Sequence, residues 1–239
     1  MKELRQMAKL YIIPIPISEN TIEQVLPTHN HAIVKELRHF VVERVKTARQ
    51  FLRKMDREFP IDASEFYELN KHDGYTFQVE AIEALKKGND VGLMSEAGYP
   101  GIADPGSEFV AMAHRNNIEV VPLTGPSSLL LALAASGMNG QGFTFNGYLP
   151  KKDPERAAKI KQINQTVIKT GFAQLFIETP YRNEIMLKDI ISYCHDELLL
   201  TIAYDVTGEK QKIKTKTIRE WSKSPFKFDK TPCVFVVGK

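Results

Sequence analysis

Residues 91 to 106 read VGLMSEAGYPGIADPG. Val91 to Met94 has the character of a short buried strand, and the segment that follows it, Ser95 to Gly106, carries three Gly and two Pro in twelve positions. Gly lets a backbone approach a ligand with no Cβ in the way, and Pro stiffens the path. A loop of this composition at the carboxyl end of a strand is where open α/β sheets bind ligands; a rigid surface turn is the plainer alternative. Upstream, an Asp73-Gly74 turn signal precedes a helix, Thr76 to Lys87, that Gly88 stops. Downstream come a helix at Glu108 to Arg115 and a strand at Glu119 to Leu123.

The same alternation of strand and helix runs through nearly the whole chain. Lys9 to Ile15 reads as a strand, Thr28 to Arg38 as a helix, His39 to Glu43 as a strand, and Thr47 to Met55 as a helix with Ala48, Phe51, Leu52 and Met55 on one face. Residues 57 to 74 look mixed and loop-like. At Thr124-Gly125-Pro126 the chain breaks and restarts as an apolar helix, Ser127 to Ala135, ended by Gly137. Beyond it the pattern gives a strand (Phe143 to Tyr148), a polar helix (Pro154 to Ile168), a strand (Gln174 to Glu178) and a helix (Asn183 to Tyr193). A strand at Leu198 to Val206, a basic alternating stretch at Lys210 to Ile218 and a last strand at Cys233 to Val237 complete it. The expectation is an α/β protein with a largely parallel sheet, in two α/β domains of residues 1–122 and 123–239.

Composition narrows the function. The 239 residues can bury a core without staples, and 43% hydrophobic with 26% charged residues excludes intrinsic disorder. No apolar run approaches the roughly 18 residues needed to span a bilayer. Met1 to Arg5 has no apolar segment of a secretory leader behind it, so a cytoplasmic protein is expected. Cys194 and Cys233 are too few for a disulfide framework or a zinc site. His29 and His31 are two apart, Cys194 adjoins His195, and no third ligand stands at useful spacing, so no metal is expected. No G-x-G-x-x-G follows a strand and no G-x-x-x-x-G-K-[ST] occurs, which leaves dinucleotide folds and P-loop NTPases unsupported. Residues 1–122 hold 15 Lys+Arg against 18 Asp+Glu, net −3, and residues 123–239 hold 17 against 11, net +6. That asymmetry is compatible with an anionic partner on the carboxyl-terminal part, though it is no dense basic stripe.

A second segment, Pro122 to Gly137 (PLTGPSSLLLALAASG), repeats the logic of strand, Gly/Pro turn and helix. Ser127 and Ser128 open that helix, where hydroxyls and free N–H groups cap it or receive a ligand's polar atoms. Two such loops after neighbouring strands reinforce each other.

With these two segments and FTFNGYLPKKDPER at 143 to 156, the chain resembles the tetrapyrrole methylase superfamily, and within it the ribosomal RNA small-subunit methyltransferase I group, 16S rRNA cytidine 2′-O-methyltransferases. The first loop has the family form S-D-A-G-T-P-G-I-S-D-P-G and agrees at nine of twelve positions. The likeness extends in order to LFIETPYR at 175 to 182 and to the last strand. It implies a homodimer of two-domain α/β chains with S-adenosylmethionine in a cleft between the domains. The implied cofactor residues are Ala97, Gly98, Pro100, Gly101, Ile102 and Asp104 of the first loop, Ser127 and Ser128 of the second, and Ala203.

The departures fall on the presumed substrate side. Ile15-Pro16-Ile17-Ser18-Glu19 stands where the group has T-P-I-G-N, so Ser18 replaces a Gly and Glu19 adds a carboxylate that would repel phosphate. Val42-Glu43-Arg44-Val45-Lys46 stands for A-E-D-T-R, Glu178-Thr179-Pro180-Tyr181-Arg182 for E-S-P-H-R, and Tyr204-Asp205-Val206-Thr207-Gly208 for R-E-L-T-K.

Methyl transfer from a sulfonium is an in-line displacement in which the protein aligns donor and acceptor and excludes water. A ribose hydroxyl benefits from a general base, and Glu43 at the end of the second strand is the candidate; a strand-end acid paired with a nearby Arg is the alternative. Phosphate contacts would come from Arg44, Arg49, Arg53 and Arg182. Lys46, Arg49, Arg53 and Arg57 share one side of a helix, Lys151, Lys152 and Arg156 form a second cluster, and Lys210, Lys212, Lys214 and Lys216 alternate along a strand. A charge run is usually a solvated face, and edge lysines also prevent strand pairing. Three functions stay open: methylation of small-subunit ribosomal RNA, methylation of a tetrapyrrole or other small acceptor, and a cofactor-binding homologue that has lost catalysis.

Overall fold

The computed structural model describes residues 8–69 and 74–239; Met1 to Arg5 and the expected turn residue Asp73 lie outside the described residues. The chain divides into two compact units, one ending at Ser127 and the other Ser128–Lys239.

The first unit is built on a five-stranded sheet whose pairings are all parallel. Its strands are β1 (Lys9–Ile12), β2 (His39–Val42), β3 (Glu65–Glu68), β4 (Val91–Met94) and β5 (Glu119–Pro122), in the order β3-β2-β4-β1-β5. After a single turn at Ile22–Val25 (α1) come helices α2 (Thr28–Glu36), α3 (Val45–Met55), α4 (Gly74–Lys86) and α5 (Ser107–Arg115). Strands covered on both faces read as continuous apolar runs, and every residue of β4 is buried. On one face Leu10, Val41, Val91 and Leu93 pack with Ala81, Ile82 and Leu85 of α4 and Phe109 and Ala113 of α5. On the other, Ile13, Phe40, Val42 and Met94 pack with Val34 and Leu37, at the end of α2, and with Ala48, Phe51 and Leu52 of α3. The outer face of α3 is charged, the division that its 3.6-residue period encodes.

Of the stretch 57 to 74, expected to be mixed and loop-like, residues 57–69 are more ordered than their sequence suggests. They contain a 3-10 turn at Ile61–Ala63 and the edge strand β3, of which only Tyr67 is buried. An edge strand with one buried side chain leaves no alternating signal to read. The Thr124-Gly125-Pro126 turn, expected to open the second part, belongs to the first unit: Asn30 Nδ2 donates to Thr124 O at 2.7 Å and Gly125 N donates to the Tyr99 hydroxyl at 2.7 Å.

The second unit holds α6 (Ser128–Ser136), β6 (Phe143–Tyr148), α7 (Glu155–Thr170), β7 (Ala173–Glu178), α8 (Asn183–Tyr193), β8 (Leu199–Tyr204), β9 (Lys212–Thr217), α9 (Ile218–Lys223) and β10 (Cys233–Gly238). Its sheet runs β6-β7-β10-β8-β9, and here the expectation of a largely parallel sheet is corrected: only β6 and β7 are parallel. The connection from β8 to β9 is a short turn, and a parallel pairing needs a crossover of a dozen or more residues. Helices α7, α8 and α9 cover one face through Ile160, Ile163, Val167, Met186, Leu187, Ile190 and Trp221. Thr215 Oγ1 donates to Ser136 O of α6 at 2.8 Å. Helix α9 replaces the end of the expected basic strand because Thr217 and Glu220 form a reciprocal capping box. Cys194 and Cys233 are free and buried, and burial pushes the Cys194 thiol up to about 12 and that of Cys233 higher still.

Candidate functional site

In the first unit the carboxyl ends of β1, β2, β4 and β5 all lie at one edge of the parallel sheet, and the two sequence-flagged loops leave from there. β4 and β5 are not neighbours, since β1 lies between them. What joins their loops is the Ser95–Gly106 segment itself. Gly98 makes a two-way backbone pair with Ile15 beyond β1, at 2.8 and 2.9 Å. The Tyr99 hydroxyl accepts from Gly125 N and lies 3.0 Å from Leu123 O, to which it donates. The loop is then turned by residues at positive φ, Gly98 at 68°, Gly101 at 81° and Ala103 at 65°, and closed by Gly101 N donating to Pro105 O at 3.1 Å. Gly98 and Gly101 occupy conformations that L side chains rarely adopt.

Three carboxylates come with this edge. Glu43 follows β2, Glu96 follows β4, and Asp104 lies in the loop. Burial and the charges of Asp104 and Glu96 push Glu43 above its ordinary value, with Arg44 opposing. Burial also raises Asp104, against a hydrogen bond from Ser95. Glu96 accepts from Thr47 Oγ1 of α3 at 3.1 Å. Glu43 Oε2 is buried and has no hydrogen-bond partner. Such an edge favours a cationic ligand, and a half-buried carboxylate of raised pKa is suited to accept a proton. Among the described residues no three His, Cys, Asp or Glu side chains converge closely enough to hold a metal ion. Glu96 was missed by sequence reasoning, although it occupies the position where the family form has Asp.

Of the other sequence candidates, Ala97 and Ile102 are exposed and Pro100 is buried within the loop. Ser127 ends the first unit and Ser128 opens α6. Ala203 is fully buried in the second sheet between Val234 and Ile213. The arginines proposed for substrate are dispersed. Arg44 is exposed before α3, Arg49 stacks over the Phe66 ring at 5.2 Å, and Arg53 donates to Arg57 O at 2.6 Å. Ser18 O accepts from Thr21 Oγ1, and Glu19 is exposed.

Arg182 belongs to the second unit, in a polar cluster at the end of β7. One oxygen of buried Glu178 accepts from Arg182 Nη2, Thr179 N and Thr179 Oγ1. Glu178 Oε2, Arg182 Nη1 and Asn183 Oδ1 are buried without partners.

Residues 29–221 match the model of the family described as tetrapyrrole (corrin/porphyrin) methylases. A "Ribosomal RNA small subunit methyltransferase I" of Synechocystis sp. is 34% identical over 142 residues, covering 59% of this chain and 48% of that protein. The protein of the same name in Vibrio cholerae is 29% identical over 216 residues, 88% of this chain and 69% of its own. The chain thus spans about half the length of the first and about two thirds of the second. Among solved structures, that titled "Crystal structure of the methyltransferase CobJ" has a TM-score of 0.63 at 17% identity, covering 97% of this chain and 94% of that one, a likeness of fold.

Proposed function

Because the chain belongs to the tetrapyrrole (corrin/porphyrin) methylase family, we propose that it transfers a methyl group from S-adenosylmethionine to a ribose 2′-hydroxyl of small-subunit ribosomal RNA. The observation that carries the reading is the Ser95–Gly106 loop, tied to the ends of β1 and β5 through Gly98 and Tyr99, with Glu43, Glu96 and Asp104 at the same sheet edge. The residues fit this cofactor. Its sulfur carries a positive charge, which the acidic edge favours, and the positive φ of Gly98 and Gly101 turns the loop at that edge, with Gly98 fixed to Ile15 and Gly101 N to Pro105 O. When bound, the cofactor supplies an electrophilic methyl group. Glu43 takes the proton of the attacking hydroxyl at its unpartnered Oε2. Glu96, anchored by Thr47, and Asp104 hold Glu43 above the ordinary carboxylate range by their charge, secondary to its burial. Overly strong anionic contact would hold the donor's charge back as it disperses in the transition state.

The reading extends to a cytoplasmic homodimer, which sedimentation of the purified chain tests. Among the described residues no helix is long and apolar enough to cross a membrane. The function itself is tested by calorimetric titration with S-adenosylmethionine, followed by transfer of labelled methyl to undermethylated small ribosomal subunits, free rRNA and tetrapyrrole intermediates. Absence of donor binding sinks the reading. Transfer to a tetrapyrrole and not to RNA replaces the acceptor.

A further inference from the structure

The basic residues divide into those already committed within the molecule and those that are not. Arg49 and Arg53 are engaged as described above. Arg156 is buried against Asp189, Asp153 and the carbonyl of Lys151. Arg219 pairs with Asp196 and Glu197, and Lys210 with Asp229. On strand β9 the basic side chains recur at every second residue. Lys212 and Lys214 are exposed and make no ion pair among the described residues, and Lys216 Nζ rests 4.6 Å over the Trp221 ring. Side chains two apart on a strand point to one face about 7 Å from each other. Lys212, Lys214 and Lys216 thus leave one face of the edge strand of the second sheet at a repeat close to that of successive phosphates along an extended nucleic-acid chain, with Lys216 held against Trp221.

Among the described residues no carboxylate forms an ion pair with Lys212, Lys214 or Lys216. Glu220 is the acid whose field reaches Lys214 and Lys216; its Oε2 accepts from Thr217 N at 2.8 Å and Thr217 Oγ1 at 2.9 Å in the capping box of α9, so it offsets part of the row's charge without pairing with a lysine. Ammonium groups attract phosphate as point charges without the planar fork that reads bases. Trp221 is 2% exposed and offers no surface for base stacking. Edge lysines also discourage strand pairing, yet that task does not require three in register on one face.

We propose that the Lys212, Lys214 and Lys216 face of β9 is a sequence-neutral docking strip for the phosphate backbone of single-stranded RNA. The inference rests on the RNA reading given above and names a surface for it. The test compares the whole chain with its K212Q/K214Q/K216Q and K212R/K214R/K216R variants, using fluorescence anisotropy of a labelled oligouridylate at several KCl concentrations. Each phosphate contact on a single strand contributes about 0.7 to the slope of log affinity against log salt, or about fivefold in affinity at 0.1 M. The Gln variant is expected to lose about 2 from the slope and about a hundredfold in affinity at that salt, while the Arg variant keeps both. A folded Gln variant with unchanged slope and affinity, or a wild-type chain that ignores the oligomer, overturns the strip. So does equal competition by a polyglutamate peptide, which would assign it to an acidic protein segment. Labelled methyl transfer to small subunits, measured on the same proteins, separates the two ideas. Transfer with a lysine-independent slope removes the strip alone, and a lysine-dependent slope without any transfer upholds the strip while removing the activity.

Discussion

Replacing Gly125 with Ala should dismantle the joint between the two ligand loops. A Cβ at this position would lie 2.2 Å from Cγ and 2.4 Å from Cβ of Pro14, at least about 1 Å inside ordinary carbon–carbon contact. Pro14 is buried and its ring cannot rotate away, so the backbone at 125 has to move. That movement costs the bond from Gly125 N to the Tyr99 hydroxyl and disturbs the one from buried Asn30 to Thr124 O. Overpacking contributes about 1–3 kcal/mol, and each buried polar group left unpaired about 1–3 kcal/mol more. With one such group unpaired, a total of about 2–6 kcal/mol is a large part of the roughly 5–15 kcal/mol that holds a domain together. Tyr99→Phe alone, which strips the same joint of its hydroxyl, should cost about 1–3 kcal/mol. Because both changes break one joint, the double variant should be less destabilised than the sum by about 1 kcal/mol or more. Hydrogen exchange in β1 and β5 reads the first unit, while the fluorescence of Trp221, the sole tryptophan, reads the second and should not move. Gly88→Ala is the control, since its Cβ would meet nothing within 4 Å and only the φ of 96° opposes it. Equal effects of the two Ala variants, or an additive cycle, would refute the joint.

Three further outcomes follow from the charged groups. Glu43→Gln should lower methyl transfer by about 10²- to 10⁴-fold and weaken donor binding far less, since Glu96 and Asp104 remain at the edge. Glu43 and Asp104 are both raised, so the folded chain binds more protons than the unfolded one, and stability falls as pH climbs upward from the ordinary values of 4.5 and 3.8. Thermal melts of a Glu43→Gln/Asp104→Asn variant should therefore depend less on pH in that range, and an unaltered profile would contradict the assignment. In the second unit, Glu178→Gln leaves Arg182 without its buried counter-charge and should cost about 3–5 kcal/mol, read from Trp221 fluorescence in urea; a loss below about 1 kcal/mol would show that the pair is dispensable.

The helices and central strands were legible because their burial is periodic or continuous. Val91–Met94, Phe143–Tyr148 and Asn183–Tyr193 end where apolar runs and turn residues place them. The edge strand Glu65–Glu68 was not, since one buried Tyr67 carries no period, and neither was the antiparallel return of β8, β9 and β10, which depends on connection length. The Gly and Pro content of the Ser95–Gly106 loop was visible in its composition, and Asp104 came with the family resemblance. The role of Tyr99 was not, because a hydroxyl that reaches Leu123 and Gly125 across β1 leaves no local trace. Glu96 was hidden differently: an acid after a buried strand looks like any solvent-facing residue until Glu43 and Asp104 are seen to share its field.

The two substrates of the proposed reaction make opposite demands on charge, since the donor is cationic at sulfur and RNA is a polyanion. One surface of single sign would repel one of them. Here the demands fall on different parts of the sequence, residues 1–122 with net −3 and a partly buried acidic edge, and residues 123–239 with net +6 and an exposed lysine row. Salt screens exposed charges strongly and buried ones weakly. Raising KCl from about 0.05 to about 0.2 M should therefore weaken RNA binding about twentyfold through three phosphate contacts, and change donor affinity by less than about twofold. The KM for RNA and the Kd for S-adenosylmethionine, measured at both concentrations, separate the contributions. If the two constants shift together, or if the donor proves the more sensitive, the division of charge between the parts has no bearing on binding.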